Sequence, residues 1–202
     1  MTNADLAPLT AVMTRLLAED GCPWDRAQTH ASLRKHLIEE AYETCDAIDR
    51  ADSANLCEEL GDVLYQIVFH AALAEEEGLF TLQDVIDGVA AKMKRRHPHV
   101  YPPKDASAPQ DWESIKKAEK KNAHQPQTLP RTMPATLKLS KLTAKLAKRG
   151  ATPASMAACC DNETERALLA AVLDAEKAGQ VFEFTAQGLA QKLEKMLENA
   201  QK

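Results

Sequence analysis

Apolar residues recur every three or four positions along most of this chain, and alternation residue by residue is sustained nowhere. The first period marks one face of an α-helix, whereas a half-buried strand repeats every second residue. Helices are expected over about residues 6–19, from Thr29 or Ser32 to about 50, from Asp52 or Ser53 to 77, and from Thr81 to the Arg95–Arg96 region. A short helix is expected over 111–121, then three more near 136–149, 163–178 and 185–199. The breaks carry turn chemistry: Gly21-Cys22-Pro23-Trp24-Asp25, Gly78, Pro98, and a loop over 102–109. Only 7 glycines occur in 202 residues, which agrees with an all-α fold and leaves little turn-rich sheet to build.

The second and third long helices carry acidic clusters, Glu39-Glu40-Ala41-Tyr42-Glu43 and Glu59-Leu60-Gly61-Asp62. Residues three and four apart share a helix face, so Glu40 and Glu43 converge, as do Glu59 and Asp62. On the first of these helices Leu37, Ile38, Ala41, Cys45 and Ile48 form the apolar stripe, with Glu40 on its flank and Glu39 nearly opposite. That cluster alone reads as a solvated face. The other helix is apolar almost all round, from Leu56 to Leu73, which is the pattern of a buried helix. Glu59, Asp62 and Gln66 form the only polar stripe near its middle. Buried carboxylates are costly unless paired or bound to a cation. Two such helices packed antiparallel would aim four or five carboxylates into one small volume. Oxygen donors without Cys or His suit Mg²⁺, with Mn²⁺ as the alternative.

Charge and cysteine usage narrow the setting. Residues 1–119 carry 12 basic and 22 acidic side chains, 120–160 carry eight basic and no acidic ones, and 161–202 carry five and eight. Five cysteines, with no C-x-x-C pair, argue against a disulfide framework and a structural zinc site. Neither a leader pattern nor an apolar run of membrane-spanning length is present, so a cytoplasmic setting without membrane contact is expected. His97 and His99 flank a proline without a third soft ligand and make a poor transition-metal site.

The motifs also occur in a specific order. Gly21-Cys22-Pro23-Trp24-Asp25, Gln28-Thr29-His30 and Leu37-Ile38-Glu39-Glu40-Ala41-Tyr42-Glu43 come first. Glu58-Glu59-Leu60-Gly61-Asp62, Val68-Phe69-His70-Ala71, Arg95-Arg96-His97-Pro98-His99-Val100, Trp112-Glu113-Ser114-Ile115-Lys116 and Leu129-Pro130 follow. This set resembles the MazG-family nucleoside triphosphate pyrophosphohydrolases over roughly residues 7–150. The resemblance implies a helical bundle of the all-α NTP pyrophosphatase type, completed by dimerisation or a higher homo-oligomer. It also implies Mg²⁺-dependent cleavage of a (d)NTP to the monophosphate and pyrophosphate. Carried onto this sequence, it makes Glu40, Glu43, Glu59 and Asp62 metal ligands. Glu39 becomes the residue that ligates or positions the attacking water. Lys92, Arg95, Arg96, Trp112 and Lys116 become substrate contacts, and Pro23 and Trp24 take a structural role in their turn.

On this basis residues 1–121 are expected to form the catalytic helical domain, 122–135 a proline-containing linker, and 136–202 a shortened, non-catalytic repeat. In the repeat register Leu64, Val68 and Phe69 correspond to Leu168, Val172 and Leu173, and Glu59 corresponds to Glu163, but Asp62 meets Arg166. The segment that would hold a second E-E-x-x-E contains no acidic residue, so no second metal site of this kind can form. A competing reading makes the protein a regulatory binder whose Lys138–Lys148 face, along a Leu139, Leu142 and Leu146 stripe, meets nucleic acid or an acidic partner. The lack of interleaved aromatics speaks against nucleic acid.

Overall fold

A computed structural model of the chain describes residues 4–102, 114, 115, 119 and 129–200. Among the described residues there are nine helices and no strand, and none of the helices is long and apolar enough to cross a membrane. The chain divides into two compact units, Met1–Glu119 and Lys120–Lys202.

The first unit contains α1 (Ala7–Leu17), the one-turn α2 (Pro23–Arg26), α3 (His30–Asp49), α4 (Ser53–Glu76) and α5 (Leu82–Arg96). Side chains fix where the helices start. Thr29 caps α3 in a reciprocal box with Ser32, Asp52 accepts from the Asn55 amide at the head of α4, and Thr81 forms a box with Asp84 at the head of α5. The Thr81 hydrogen bonds hold the Asp84 carboxyl below its ordinary range. Helix α4 stops where Gly78 takes a positive φ of 69°, and the next amide, that of Leu79, returns to the Ala74 carbonyl.

Met13 of α1, Leu33 of α3, and Val68, Phe69 and Leu73 of α4 form the core, with Leu9, Leu17, Tyr65, Ala72 and Leu82 packed against it. Helices α3 and α4 pair along their lengths and run antiparallel, since His30 meets His70 at one end while Glu43 meets Glu59 at the other. Two expectations about helix faces are corrected here. The buried residues of α3 are Leu33 and Ala47, with Leu37, Glu40 and Thr44 half-buried along the same face, whereas Ile38 and Ile48 are exposed. Helix α4 is not buried all round: Leu60, Leu64 and Ile67 lie exposed on the side that no described helix of the unit covers. The inner face of each helix is chosen by its neighbour, and period alone cannot name it.

The turn before α3 is held by a close backbone approach. A Cβ on Gly21 would lie 2.2 Å from the Leu16 carbonyl oxygen and 2.6 Å from that of Arg15. The Cys22 amide donates to the same Leu16 carbonyl. Pro23 then supplies the first residue of α2, where its missing N–H costs nothing. This short helix replaces the plain turn read from the sequence.

The second unit contains α6 (Ala135–Ala147), α7 (Pro153–Ala157), α8 (Glu163–Lys177) and α9 (Phe182–Ala200). Its buried residues include Ser140, Thr143, Met156, Val172 and Ala175. The inward face of α6 is thus the small hydroxyl face, while Leu142 and Leu146 are exposed, contrary to the leucine stripe expected to pack. The Thr143 hydroxyl lies within hydrogen-bond reach of the Leu139 and Ser140 carbonyls and of Glu176, and Thr136 donates to Glu183, so these hydroxyls enter the seam with partners. Helix α7 was not foreseen. It is five residues long, too short for a period, but Thr152 and Ser155 give it a capping box.

Two outcomes follow from the first unit. Gly21→Ala places a methyl group against backbone that cannot swing away, so the unfolding free energy should fall by about 1–3 kcal/mol in urea titration. His70, whose Nδ1 lies 2.7 Å from that of His30, is held below its ordinary 6.5 by burial and by the His30 charge. The unfolded chain then binds the proton more readily than the native one. Stability should be complete above about pH 6.5, fall with pH through the lowered native value, and level off below it. A His70→Asn variant should show a flatter stability profile across that window in denaturant midpoints.

Candidate metal centre

Two antiparallel helices can bring side chains ten or twenty residues apart into one seam, and α3 and α4 do this with carboxylates. Glu40, Glu43 and Glu59 each offer an oxygen, and these atoms all lie within 4.8 Å of one another. Glu40 and Glu59 are half-buried, and Glu43 is exposed. Asp62 is exposed and outside that triad, yet close enough for its charge to act on both Glu40 and Glu59.

Burial lifts the Glu40 carboxyl above its ordinary 4.5, and Asp62, Glu43 and Glu59 add to the rise while His36 opposes it. Burial is also the largest cause for Glu59, followed by Glu43, Asp62 and Glu58, against a hydrogen bond from Asn55. Apart from His36 and Asn55 each cause disfavours the anion, and no lysine or arginine is among those that favour it. The Glu59 Oε2 atom is buried and lacks a hydrogen-bond partner. An orphaned carboxylate oxygen facing like charges fits a hard cation. Two oxygens on opposite sides of one Mg²⁺ are about 4.2 Å apart at the usual bond length, so the triad needs only small side-chain movements to share an ion.

Glu39 is exposed and not one of the triad, with its Oε2 3.0 Å from the His36 Nδ1. His36 in turn meets the Trp24 ring edge-on, with ring centroids 6.1 Å apart. Trp24 itself is 55% exposed. Its neighbour Asp25 is buried and within 3.5 Å of the Tyr65 hydroxyl, whose proton is held more tightly than usual by burial and by that carboxylate.

Arg95 and Arg96 end α5, and Glu119 engages both. Its Oε1 accepts from Arg95 Nε at 3.2 Å, and its Oε2 accepts from Arg96 Nε at 2.9 Å and Nη2 at 2.7 Å. The Arg96 hydrogen bonds are the main reason that the Glu119 carboxyl sits below its ordinary range. Lys92 lies half-buried one turn earlier on α5. Trp112 and Lys116 lie outside the described residues.

Sequence reasoning missed the exposure of Trp24, the His30–His70 pair and the part played by Glu119. The pairs are 40 and 23–24 residues apart, so no local spacing marks them. The acidic partner of Arg95 and Arg96 was legible only as one more charge on a short helix.

The acidic residues lie within a stretch that resembles known proteins. The family described as MazG nucleotide pyrophosphohydrolase domain matches residues 28–101, which contain all four metal-ligand candidates. The chain is 49% identical over 112 residues to the nucleoside triphosphate pyrophosphohydrolase/pyrophosphatase MazG of Thermotoga maritima, covering 55% of this chain and 44% of that protein. It is 40% identical over 150 residues to the nucleoside triphosphate pyrophosphohydrolase of Escherichia coli K12, covering 70% of this chain and 57% of that one. An uncharacterised Bacillus subtilis protein, YabN, is 44% identical over 138 residues, 62% of this chain and 28% of its own. The chain therefore spans less than two thirds of the length of these relatives. Among solved structures, a MazG-related protein from Thermotoga maritima aligns with a TM-score of 0.44 and 28% identity, covering 59% of this chain and 99% of that one. With its ordered motifs, its carboxylate seam and these relatives, the chain carries a MazG nucleotide pyrophosphohydrolase domain at residues 28–101.

Proposed function

We propose that the protein is a Mg²⁺-dependent nucleoside triphosphate pyrophosphohydrolase that converts a (d)NTP and water to the (d)NMP and pyrophosphate. The observation that carries this reading is the Glu40–Glu43–Glu59 triad, with one buried oxygen left unpaired between two helices. The similar proteins named nucleoside triphosphate pyrophosphohydrolase support it.

Glu40, Glu43 and Glu59, joined by Asp62, would hold the cation. When bound, the ion supplies positive charge that neutralises the polyphosphate and polarises the attacked phosphorus. The remaining work falls to the chain itself. Water attacks the α-phosphorus, the bond from that phosphorus to the α–β bridging oxygen breaks, and pyrophosphate leaves. Glu39 takes the proton from the water, and its contact with His36 Nδ1 orients the carboxylate for that task. Lys92, Arg95 and Arg96 bind phosphate oxygens once Glu119 yields its place on the two guanidinium groups. The carboxylates of the triad keep substrate oxygens out of the seam unless a cation is present, because like charges at these distances repel.

The reading extends to assembly as a homodimer. Helix α5 has no buried residue, with Val85, Ile86 and Val89 exposed, and α4 exposes Leu60, Leu64 and Ile67. A self-complementary pairing of such faces is the usual way an apolar surface of this kind is covered. Residues 136–202 serve stability or assembly, not chemistry. The Lys138–Lys148 face is the competing binder reading, and the assay below separates the two.

Pyrophosphate release should be measured across the common NTPs and dNTPs with and without Mg²⁺. Glu40→Gln, Glu43→Gln, Glu59→Gln and Asp62→Asn should each lower turnover by about a hundredfold or more. Monophosphate should be the first nucleotide product by chromatography, and diphosphate in its place would reject attack at the α-phosphorus. Mg²⁺ should also raise the melting temperature of the wild type and leave that of Glu59→Gln unchanged, since a ligand stabilises only the state that binds it. For assembly, the double variant Leu64→Lys, Val89→Lys should elute at half the wild-type mass in light-scattering chromatography.

A further inference from the structure

We propose that Trp24, steadied by His36, which lies one helical turn from Glu40 on α3, is the platform on which the nucleotide base stacks; this rests on the pyrophosphohydrolase reading and extends it. Tryptophan is ordinarily well buried, but here 55% of the residue is exposed while Asp25 beside it is buried. The segment is held firmly all the same. Gly21 and Cys22 donate to carbonyls at the end of α1, Arg26 donates to the Glu19 carbonyl at 2.6 Å, and Gln28 donates to the Trp24 carbonyl at 2.8 Å. A fixed backbone presenting an open indole is a prepaid arrangement for binding, because little freedom remains to be lost.

The surroundings place that indole on the route to the metal centre. Its contact with His36 is edge-on at 65°, which uses at most one face of the ring and leaves the other for a ligand. His36 and Glu40 are four residues apart on α3, hence on one face and about 6 Å apart along the axis. His36 also contacts Glu39, and its charge acts on Glu40, so the residue beside the indole reaches the acidic cluster electrostatically. A ribose spans a gap of that order. The Tyr65–Asp25 contact ties the α2 segment to α4 next to Gln66, which is 6% exposed and whose Oε1 has no hydrogen-bond partner. An unpaired buried acceptor at this level suits a ligand that donates, through a base N–H or a sugar hydroxyl. Stacking on an indole accepts any base, so Trp24 contributes affinity for nucleotides as a class.

The test separates base from phosphate. Trp24→Ala should raise KM about tenfold or more for the best-hydrolysed NTP while kcat stays within about threefold, and Trp24→Phe should recover most of the loss. Inorganic tripolyphosphate, which has no base, should inhibit wild type and Trp24→Ala equally. Independently of turnover, the corresponding NMP should quench the fluorescence of a Trp112→Phe protein, in which Trp24 is the sole tryptophan, and tripolyphosphate should not. An unchanged KM in folded Trp24→Ala, or the same loss of affinity for tripolyphosphate, overturns the platform while the pyrophosphohydrolase reading stands. Quenching by NMP in a protein that hydrolyses no NTP would instead support the platform and overturn the activity.

Discussion

Like charges held together against their preference are the constraint on which the first unit turns. Glu40, Glu43 and Glu59 sit in the α3–α4 seam because the packing of Leu33, Ala47, Val68 and Phe69 leaves them no other place. Helix registry, set by apolar contacts of α3 and α4, holds the carboxylates together against their repulsion. Raised proton affinity at Glu40 and Glu59 is the electrostatic trace of that compromise. A cation turns the same geometry from a cost into a gain, which is how a stable scaffold can carry an unstable site.

Positive charge at the end of α5 is already paired. The guanidinium groups of Arg95 and Arg96 lie at the end of α5, already satisfied by Glu119. A carboxylate on paired arginines presents the same oxygen geometry as a phosphate, so the pairing keeps two cationic groups ordered without committing them. The Gly21 close approach sets the path of the chain into α2, which carries Trp24. The two features are built by different means, one by charge and one by backbone contact.

Much of this was readable in the sequence because it follows from period and spacing. The all-α class, the caps Thr29, Asp52 and Thr81, and the convergence of Glu40, Glu43 and Glu59 all depend on residues three or four apart, or on two strongly apolar helices finding each other. What failed was the choice of face. Ile38 and Ile48 look like core, yet α4 lies against Leu33 and Ala47. Leu142 and Leu146 look like core as well, but hydroxyls that bond their own helix carbonyls let Ser140 and Thr143 take the inner side of α6. Trp24 read as a structural residue because bulky aromatics usually are, and only the three-dimensional path of the turn reveals its exposure. Contacts across 23 to 40 residues, such as Arg96–Glu119 and His30–His70, leave no mark on local sequence at all.

The coplanar histidines at the far end of the seam have a consequence of their own. Their rings are within 1° of parallel and share one short Nδ1···Nδ1 contact, which has room for a single proton. While both rings are neutral, the donor must have a bare Nε2 and the acceptor must carry its proton there. The outer edges of His30 and His70 are therefore always opposite in character. Exchanging donor and acceptor therefore requires one Nε2 to gain a proton and the other to lose one as the bridging proton crosses, so the two tautomers are correlated across the helix interface and switch only together.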